Sequence, residues 1–357
     1  MENYNVVIIG GGAAGLTAAA SLDENINICI LEKNRIPGRK IMATGGGRCN
    51  ITNEACEHKD TALEFFKSLG LETYSDEEGR FYPYSNQASD VVKVLMNKIS
   101  TKNVEIITEF EAVSAVYTED KYVVTDSKGR KVAGERLMVA TGGKAAPQLG
   151  TTGDGYAIAK SFGHQVNRVY PILTGIRCGD FKDIKGVRAK GKVSLYKDQK
   201  LVAEELGEIQ FTEEGISGIC VMNLTIHIKT EKGEALDKAL ARYNIILDLA
   251  PDFDEEQLKN RTSSFGILSE KLSSRVNLKQ IKNWNLPVNG VKGWKDAQCT
   301  AGGVDIEQIN METMESKLVP GLYFAGEVLD IQGPCGGYNL QNAWETGLKV
   351  ARAINEI

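Results

Sequence analysis

A glycine-rich turn between a buried strand and a helix constrains the fold of this chain more than any other feature. Residues 5–9 (NVVII) form a continuous apolar run, and residues 10–15 (GGGAAG) follow directly. The spacing matches G-x-G-x-x-G, in which the glycines permit a tight turn, close approach to a pyrophosphate and close helix-on-strand packing. The segment therefore predicts a dinucleotide held at a helix N-terminus, where N–H groups and the helix dipole favour an anion.

The residues after the turn complete a βαβ unit. Residues 13–22 are rich in helix formers, and 26–31 form a second apolar strand. Glu32 lies twenty residues after Gly12, where a carboxylate can accept hydrogen bonds from ribose hydroxyls. FAD and NAD both carry an AMP half with free ribose hydroxyls, so this unit admits either dinucleotide. The alternative is a tight strand-to-helix turn that binds no ligand.

A second glycine-rich segment favours FAD. Residues 37–40 (PGRK) and 44–50 (TGGGRCN) form a cationic loop whose glycines would let the main chain lie against a flat ring system. Arg39, Lys40 and Arg48 are candidates to meet phosphate or a ring edge. A flexible surface loop with solvated charges is the alternative.

The C-terminal region supplies a third piece. Residues 321–327 predict a strand that presents Glu327 to a ribityl hydroxyl, and residues 333–339 (GPCGGYN) lead into an amphipathic helix over 340–354. The N-terminus of that helix would face the flavin N1 and C2 carbonyl and stabilise negative charge there. An ordinary N-cap at Asn339 is the alternative interpretation.

Together these motifs resemble a bacterial flavoprotein family with two dinucleotide-binding domains, described as BaiN-like or aminoacetone-oxidase-like, within the glutathione-reductase-type FAD fold. The resemblance rests on residues 10–16, 32–34, 38–40, 45–50, 140–143, 152–155, 300–303, 314–316, 321–329 and 336–341. It implies that Val113 contacts adenine through its backbone, that Thr141 and Gly142 lie along the FAD, and that Gly302 and Gly303 lie near the isoalloxazine. It also implies NAD(P)H-linked reduction of steroid-like enones or oxidation of amines.

The expected site is therefore as follows. Non-covalent FAD binding is predicted for Gly10, Gly12, Ala13, Ala14, Gly15, Glu32, Lys33, Arg39, Lys40, Gly45, Gly46, Gly47, Arg48, Asn50, Val113, Thr141, Gly142, Gly302, Gly303, Gly326, Glu327, Gly337, Tyr338, Asn339 and Leu340. The catalytic candidates are Tyr338 as a proton donor, with Cys335 and Cys49 in loops expected to approach the flavin. No metal site is predicted. A second complete glycine fingerprint is absent, so NAD(P)H would donate electrons without its own Rossmann domain.

The fold class expected is α/β. A Rossmann-type FAD-binding domain, with a parallel sheet and a small antiparallel meander, would comprise residues 1–170 and 297–357. A mostly β insert would occupy 171–296, with a short helical part near 252–286. The insert is expected to contain strands at 191–196, 201–205 and 226–228 and helices at 255–261, 265–272 and 278–284. It departs from the apparent relatives, because Glu213 and Ile219 stand where they carry a His and a Gly-Pro.

Charge and cysteine content limit the partners and the compartment. The 42 basic and 47 acidic residues give a net charge of -5 and form no basic block, so a small-molecule substrate is expected and nucleic acid is not. Seven cysteines without a CxxC pair favour a reducing, cytoplasmic location. The apolar segment at 6–22 lacks the basic flank of a signal peptide, and no membrane association is expected.

Three functions remain open from the sequence. The first is an NAD(P)H-driven FAD enzyme that reduces a conjugated C=C bond in an enone-like small molecule. The second is an FAD-dependent amine oxidase. The third is a flavin-bound RNA-modifying or regulatory protein, which the acidic balance disfavours.

Overall fold

The computed structural model describes residues 3–231 and 234–357 of the chain, which folds into two compact units, Met1–Val169 with Cys299–Ile357 and Tyr170–Gln298. Within the described residues the strands are β1 (Asn3–Ile9), β2 (Ile28–Leu31), β3 (Thr52–Asn53), β4 (Thr73–Ser75), β5 (Arg80–Pro83), β6 (Val104–Ile107), β7 (Ala112–Thr118), β8 (Lys121–Asp126), β9 (Lys131–Val139), β10 (Tyr170–Ile172), β11 (Ile176–Arg177), β12 (Arg188–Lys197), β13 (Lys200–Phe211), β14 (Gly215–Ser217), β15 (Tyr243–Asp248), β16 (Trp284–Pro287), β17 (Gly290–Val291), β18 (Cys299–Ala301) and β19 (Leu322–Phe324). The α-helices are α1 (Ala13–Ser21), α2 (Arg39–Ala43), α3 (Lys59–Ser68), α4 (Ala88–Ser100), α5 (Asp154–Ser161), α6 (Ile219–Leu224), α7 (Leu236–Leu240), α8 (Glu255–Lys259), α9 (Glu270–Ser273) and α10 (Tyr338–Asn355). Short 3-10 helices cover Thr44–Gly47, Pro147–Leu149, Lys182–Ile184, Thr225–His227, Ile306–Gln308 and Gly326–Val328.

The first unit is built on a sheet with the strand order β6-β2-β1-β9-β8-β7, in which β19 also pairs with β9. Ile8 of β1 pairs in parallel with Ile30 of β2 and Met138 of β9, and Met138 also pairs with Tyr323 of β19. Connection direction reverses between β1 and β9, which is the switch point where open α/β sheets bind ligands beyond their carboxyl ends. The predicted fold class is confirmed by this parallel sheet, its antiparallel meander β7-β8-β9 and the separate β-rich unit.

The first unit contains one strand of nine residues, β9, which runs without a break. Its first half pairs with β8 through Val132 and Val124, and its second half pairs with β19. Gly134 lies in the middle, where a Cβ would stand 2.7 Å from a Val7 methyl group, so the glycine allows β1 to lie close.

Helices α1 and α10 pack closely in the core of the first unit. A Cβ at Gly347 would lie 2.6 Å from the carbonyl oxygen of Ala14, so only glycine permits the observed approach. Trp344 is fully buried, meets the Phe66 ring edge-on at 5.0 Å, and donates from Nε1 to the Ile51 carbonyl at 3.0 Å. The C-terminal helix therefore holds the segment that follows the Thr44–Gly47 turn.

A three-stranded sheet, in the order β3-β5-β4, lies outside the main sheet of the first unit. The sequence does not predict this sheet, because strands of two to four residues carry too little periodicity to be recognised. Thr52 of β3 pairs with Phe81 of β5, and Tyr82 of β5 with Tyr74 of β4.

The second unit is an antiparallel sheet in the order β16-β15-β12-β13-β14-β11-β17. Strands β12 and β13 form a long hairpin whose turn residues, Asp198 and Gln199, have φ of 49° and 66°, the left-handed values that two-residue hairpin turns need. Phe181, Phe211 and Trp284 form an aromatic cluster with centroid separations of 5.5–5.8 Å.

Three predictions in the second unit are wrong. The helix expected at 265–272 is replaced by the short helix Glu270–Ser273, which follows an isolated β-bridge between Phe265 and Leu268. Residues 226–228 were expected in a strand, but Thr225–His227 is a 3-10 helix continuing from α6. The helix expected at 278–284 is absent within the described residues, and Trp284 begins β16, which pairs with β15. The apolar spacing of Leu278, Ile281 and Trp284 reflects three inward contacts of a turn and an edge strand, not a helical face.

Within residues 3–231 and 234–357, none of the helices combines the length and apolar character that crossing a membrane requires.

Candidate cofactor-binding site

The Gly10–Gly15 turn has the geometry of a dinucleotide cradle. Gly10 has φ of 112°, and a Cβ there would overlap the carbonyl oxygen of Ala140 at the end of β9. A Cβ at Gly15 would overlap the carbonyl oxygen of Gly10, so this glycine permits the contact of α1 with β1. Gly12 caps α1, and no atom lies within 4 Å of its Cβ position. The open space above Gly12 is where a pyrophosphate would meet the helix N-terminus.

Glu32, at the end of β2, stabilises this turn through hydrogen bonds. Its side chain is buried, and Oε2 accepts the Gly11 N–H at 2.9 Å. Oε1 accepts both the backbone N–H and the side-chain amide of Asn34 at 2.7 Å. The carboxylate is thus fixed at the edge of the cradle, where a ribose would lie.

Two basic side chains near Glu32, both predicted to bind FAD, form hydrogen bonds to other residues of the protein. Lys33 donates to Asp154 and Thr152, each at 2.6 Å, and joins the end of β2 to the start of α5. Arg39 donates to Asn34 Oδ1 at 3.0 Å and to the Gln148 carbonyl at 3.3 Å. These contacts fix the loops near Glu32, where the adenosine of a bound FAD would lie. In this structure the two side chains therefore stabilise those loops.

Lys40 and Glu327, both predicted to face the cofactor, contact each other. The Lys40 ammonium lies 2.5 Å from Glu327 Oε2, and both side chains are largely buried. Glu327 Oε1 accepts the Thr300 N–H at 2.9 Å, and Thr300 Oγ1 accepts the N–H of Lys144 at 2.8 Å. A Cβ at Gly143 would lie 2.7 Å from Glu327 Oε1. The ion pair therefore joins α2, β18 and the ends of β9 and β19 at one point.

The Thr44–Gly47 turn is followed by Asn50, whose side-chain amide is buried. Gly45, Gly46 and Gly47 all have left-handed φ, of 56°, 65° and 88°, and no atom lies within 4 Å of the Cβ positions of the last two. Arg48 is exposed, whereas Asn50 is 7% exposed. The glycines thus leave the main chain of the turn open to a flat ligand.

The start of α10 packs against the strand that follows this turn. Gly337 caps α10 with φ of 105°, and its Cβ position lies 2.6 Å from the Thr52 carbonyl and 2.9 Å from Asn50 Oδ1. The alternative of an N-cap at Asn339 is wrong, because its carboxamide instead accepts the Gly333 N–H and donates to the Gly333 carbonyl, both at 2.9 Å. Asn339 therefore fixes the 333–337 loop, and Leu340 packs against the core.

The other predicted binding residues follow strands β9, β18 and β19 or lie next to them, except for Val113 on the meander. Gly142 follows β9 with φ of 71°, beside Thr141. Gly326 follows β19, its Cβ position 3.1 Å from that of Ala14, which places it next to Ala13 and the start of α1. Gly302 and Gly303 follow β18 with φ of 77° and 146°. Val113 lies at a bulge in β7 with 52% of its surface exposed.

The three catalytic candidates, Cys49, Cys335 and Tyr338, differ in how far their side chains are buried. Cys49 is fully buried in the core, and burial raises the pKa of its thiol to about 12 against a smaller effect of the Thr44 hydrogen bond. That side chain does not reach a ligand surface, so the expectation that Cys49 approaches the flavin disagrees with the structure. Cys335 is partly exposed. Burial, and then the nearby Cys56, raise the pKa of Tyr338, which keeps its hydroxyl protonated as a donor requires.

Tyr156 is a buried residue near Glu327 that the sequence did not single out. It lies in the first turn of α5, is 8% exposed, and burial followed by the Glu327 carboxylate raises the pKa of its hydroxyl well above the ordinary range. Its only sequence signal is its position directly after residues 152–155 (TGDG), a motif that marks the loop and not the side chain.

Three buried side-chain oxygens test whether FAD fits this site. Asn50 Oδ1, Thr52 Oγ1 and the Tyr156 hydroxyl have no hydrogen-bond partner among the described residues. Buried polar atoms nearly always have a partner, so each such atom calls for a ligand or water. Ribityl hydroxyls and the ring N–H of a flavin are donors of the kind that Asn50 Oδ1 can accept. Together with the cradle at Gly12, the residues present fit a flavin dinucleotide.

Comparison with known proteins agrees with this geometry. The profile of the HI0933-like protein Rossmann domain matches residues 4–353. The chain is 35% identical to a 3-dehydro-bile acid delta(4,6)-reductase of Clostridium scindens, over 98% of this chain and 98% of that protein. It is 28% identical to a ribosomal RNA dihydrouridine synthase of Escherichia coli, over 99% and 98% of the two chains.

Among solved structures, a 3-ketosteroid-delta4-(5alpha)-dehydrogenase of Rhodococcus jostii RHA1 shares the fold. Its TM-score is 0.52 with 13% identity, over 99% of this chain and 97% of that chain.

The expectation that nucleic acid is not a partner is wrong. It rested on the acidic net charge and the lack of a basic block, whereas a relative aligned along the full chain is named for its action on ribosomal RNA. Net charge describes the whole surface, and an enzyme that acts on one base of an RNA needs only a local contact surface.

Proposed function

Because the chain belongs to the HI0933-like family and is a flavin-dependent oxidoreductase, we propose that it reduces a C=C bond conjugated to a carbonyl group, using FAD and NAD(P)H. The observation that carries this proposal is the 35% identity to a delta(4,6)-reductase over nearly the whole of both chains. When bound and reduced by NAD(P)H, the flavin would supply the hydride for such a reduction.

The chain's own residues would bind and orient the cofactor. The N-terminus of α1 at Gly12 would hold the pyrophosphate, with Glu32 at the adenosine ribose. Glu327, held by Lys40 and Thr300, would accept a ribityl hydroxyl, and Asn50 Oδ1 would accept a ring or ribityl donor. The N-terminus of α10, an 18-residue helix, would stabilise negative charge at the ring.

Proton delivery would complete the addition across the double bond. Tyr338 is the candidate donor, because it stands at the first position of α10 beside the Gly336-Gly337 turn and its raised pKa keeps the hydroxyl protonated. A protonated phenol can donate to the carbon next to the carbonyl after hydride has added to the far carbon.

A second candidate function is the reduction of a uracil base in RNA, which the full-length similarity to a ribosomal RNA dihydrouridine synthase favours. Both substrate classes present the same reacting group. Dihydrouridine is uridine with two hydrogens added across a C=C bond conjugated to a ring carbonyl, as in an enone. One hydride-donating site could therefore serve either class, and the surface around it would select the substrate.

The test uses the purified flavin-loaded chain. NADH or NADPH is added without oxygen while flavin absorbance is followed, and the reduced protein is then mixed with a 3-keto-4,6-diene steroid or with uridine-containing RNA. We expect bleaching by a nicotinamide and reoxidation by one of the two acceptors, with a matching reduced product. Bleaching only by amines, or reoxidation by neither acceptor, would contradict the proposal. Gly12→Glu fills the space above the cradle and serves as the control without flavin.

A further inference from the structure

A cluster of aromatic rings and one arginine lies on the β4–β5 hairpin beside the Thr44–Gly47 turn. The Arg48 guanidinium carbon stands 4.4 Å from the centroid of the Tyr82 ring. The Tyr74 ring lies 6.0 Å from Tyr82 and 6.2 Å from Tyr84, with interplanar angles of 35° and 85°. We call Arg48, Tyr74, Tyr82 and Tyr84 the aromatic platform.

The members of the aromatic platform differ in exposure. Tyr82 is 2% exposed and supports the others from below. Tyr74 is partly buried and its hydroxyl donates to Asn86 Oδ1 at 2.7 Å. Tyr84 is 74% exposed and Arg48 is exposed as well. The two outer members thus present planar groups to solvent on a rigid base, and the core of the unit does not require either of them.

The aromatic platform adjoins both glycine-rich loops of the candidate site. A Cβ at Gly45 would lie 3.3 Å from Cε1 of Tyr82, so the turn and the platform are in direct contact. On the same small sheet, the Asn53 side chain donates to the Gly336 carbonyl at 3.0 Å, next to the start of α10. A substrate whose reacting ring met the flavin would therefore have its neighbouring groups close to the platform.

Arg48 is the cation of the aromatic platform, because the neighbouring arginine of the hairpin is paired with carboxylates. Arg80, on the same hairpin, is bound by Asp76 at 2.9 Å and Glu78 at 2.8 Å. Arg48 instead contacts the Tyr82 ring and the Gly45 carbonyl, the latter at 3.4 Å. Stacking bases on aromatic rings and arginine planes, with a cation near the phosphates, is how proteins hold single-stranded nucleic acid.

We propose that the aromatic platform binds the nucleobases next to a target uridine in single-stranded RNA, with Tyr84 and Arg48 stacking on them. The inference rests on the proposed function, in its form with a uracil substrate, and adds where the RNA is held. Solvent-exposed rings suit bases, which remain partly hydrated when stacked, better than a steroid, which needs an enclosed apolar surface.

The experiment measures binding of a short fluorescein-labelled oligouridylate to the flavin-loaded full chain by fluorescence anisotropy at low salt. Replacing an aromatic residue that stacks on a base weakens single-strand binding by about 1–3 kcal/mol, so we expect Tyr84→Ala to raise the Kd by about 5- to 150-fold. Tyr84→Phe keeps the ring and should stay within about twofold of the parent. Arg48→Lys keeps the charge but loses the plane, and should lie between them.

A matched control lies elsewhere on the same unit. Tyr117 of β7 is 51% exposed and its ring lies 4.8 Å from that of Tyr122, much as the Tyr84 ring lies 6.2 Å from that of Tyr74, but it is on the meander. Tyr117→Ala should leave the Kd unchanged. Flavin content and the thermal midpoint are recorded for every variant, so that a folding defect is recognised.

The outcomes separate this inference from the proposed function. The proposed RNA-binding role of the aromatic platform would be overturned if Tyr84→Ala and the parent had equal Kd values. It would also be overturned if Tyr117→Ala lost as much affinity as Tyr84→Ala. A parent chain that reduces the steroid enone yet binds no oligouridylate would also overturn it while supporting the proposed function. Reoxidation of the Tyr84→Ala flavin by the enone at the parent rate, together with weakened RNA binding, would support both.

Discussion

The two units of this chain use close backbone contacts in different parts of their folds. In the first unit, main-chain atoms approach where a side chain would not fit, as at Gly15 beneath the cradle and Gly347 between α1 and α10. The second unit also contains such approaches, as at Gly215, whose Cβ position lies 2.0 Å from the Ile176 carbonyl oxygen, but they join strands of its antiparallel sheet. It is stabilised as well by the Phe211 and Trp284 rings and by exposed ion pairs such as Arg188 with Glu208 at 3.1 Å. We therefore expect substitutions at close approaches in the first unit to weaken cofactor binding, whereas substitutions in the second unit should change stability alone.

The largest expected difference concerns one tryptophan from each unit. Trp344→Ala removes a fully buried indole and its hydrogen bond to Ile51, at a cost of about 3–5 kcal/mol in the free energy of unfolding. Because Ile51 lies between Asn50 and Thr52, we expect flavin to be lost as well. Trp284→Ala, which removes a partly exposed ring from the second unit, should cost less and leave the flavin bound.

Urea unfolding followed by circular dichroism and by flavin fluorescence measures both effects. Trp344→Phe is the conservative control and should retain flavin. Equal loss of flavin in Trp344→Ala and Trp284→Ala would show that the contrast between the units is not real.

A smaller effect is expected for a single methyl group at a glycine. In Gly15→Ala the new Cβ would overlap the Gly10 carbonyl, and we expect about 1–3 kcal/mol of destabilisation together with much weaker FAD binding. Gly293→Ala in the second unit is the matched change, because no atom lies within 4 Å of that Cβ position. Titration of the flavin-free chains with FAD compares them. Tight FAD binding by Gly15→Ala would contradict a sterically fixed cradle.

An ion pair from each unit gives the next comparison. Lys40→Met leaves the largely buried Glu327 without its cation, and we expect the Kd for FAD to rise about tenfold, equivalent to about 1.4 kcal/mol. Lys185→Met removes an exposed pair with Glu213, whose separation is 3.2 Å, and should change stability by less than about 1 kcal/mol.

Lys40→Arg keeps the charge and should restore most of the FAD affinity. If Lys40→Met bound FAD as tightly as the parent, the ion pair would be a structural contact with no role in positioning Glu327.

The cradle was predictable from sequence because its determinants are local. The glycines at 10, 12 and 15 lie within one turn, and the strand, helix and Glu32 follow within about twenty residues. Such short-range steric requirements leave a fixed spacing in the sequence. The fold class follows from the same unit and is confirmed by the parallel sheet.

Long-range contacts explain what the sequence did not reveal. Lys40 and Glu327 were each predicted to face the cofactor, but their pairing joins positions 287 residues apart, which no local pattern encodes. The small β3-β5-β4 sheet, and with it the aromatic platform, depends on strands too short to show periodicity. Cys49 lies two residues after three glycines, yet it has a left-handed φ of 62° and its side chain is buried in the core.

The smallest expected effect compares two cysteines that both lie in glycine-rich loops. Cys335 is partly exposed, whereas Cys49 is fully buried with a pKa raised to about 12 by burial. A thiol-specific reagent at pH 8 should modify Cys335 in the folded chain and reach Cys49 only on unfolding, since the reactive thiolate is disfavoured there. Mass spectrometry after timed quenching identifies the site. Modification of Cys49 at the rate of Cys335 would mean that the 44–50 loop opens in solution.

The same pKa shift predicts how stability depends on pH. In the unfolded chain the Cys49 thiol ionises near its ordinary value of 9.0, whereas in the folded chain it stays protonated to about 12. Proton release therefore favours unfolding between these values, so the contribution of this thiol is intact below pH 9 and is lost as the pH rises towards 12. At pH 10 the parent should have lost about 1 kcal/mol more, relative to pH 8, than Cys49→Ala. Parallel pH profiles of urea unfolding for the two chains would contradict the buried position of Cys49.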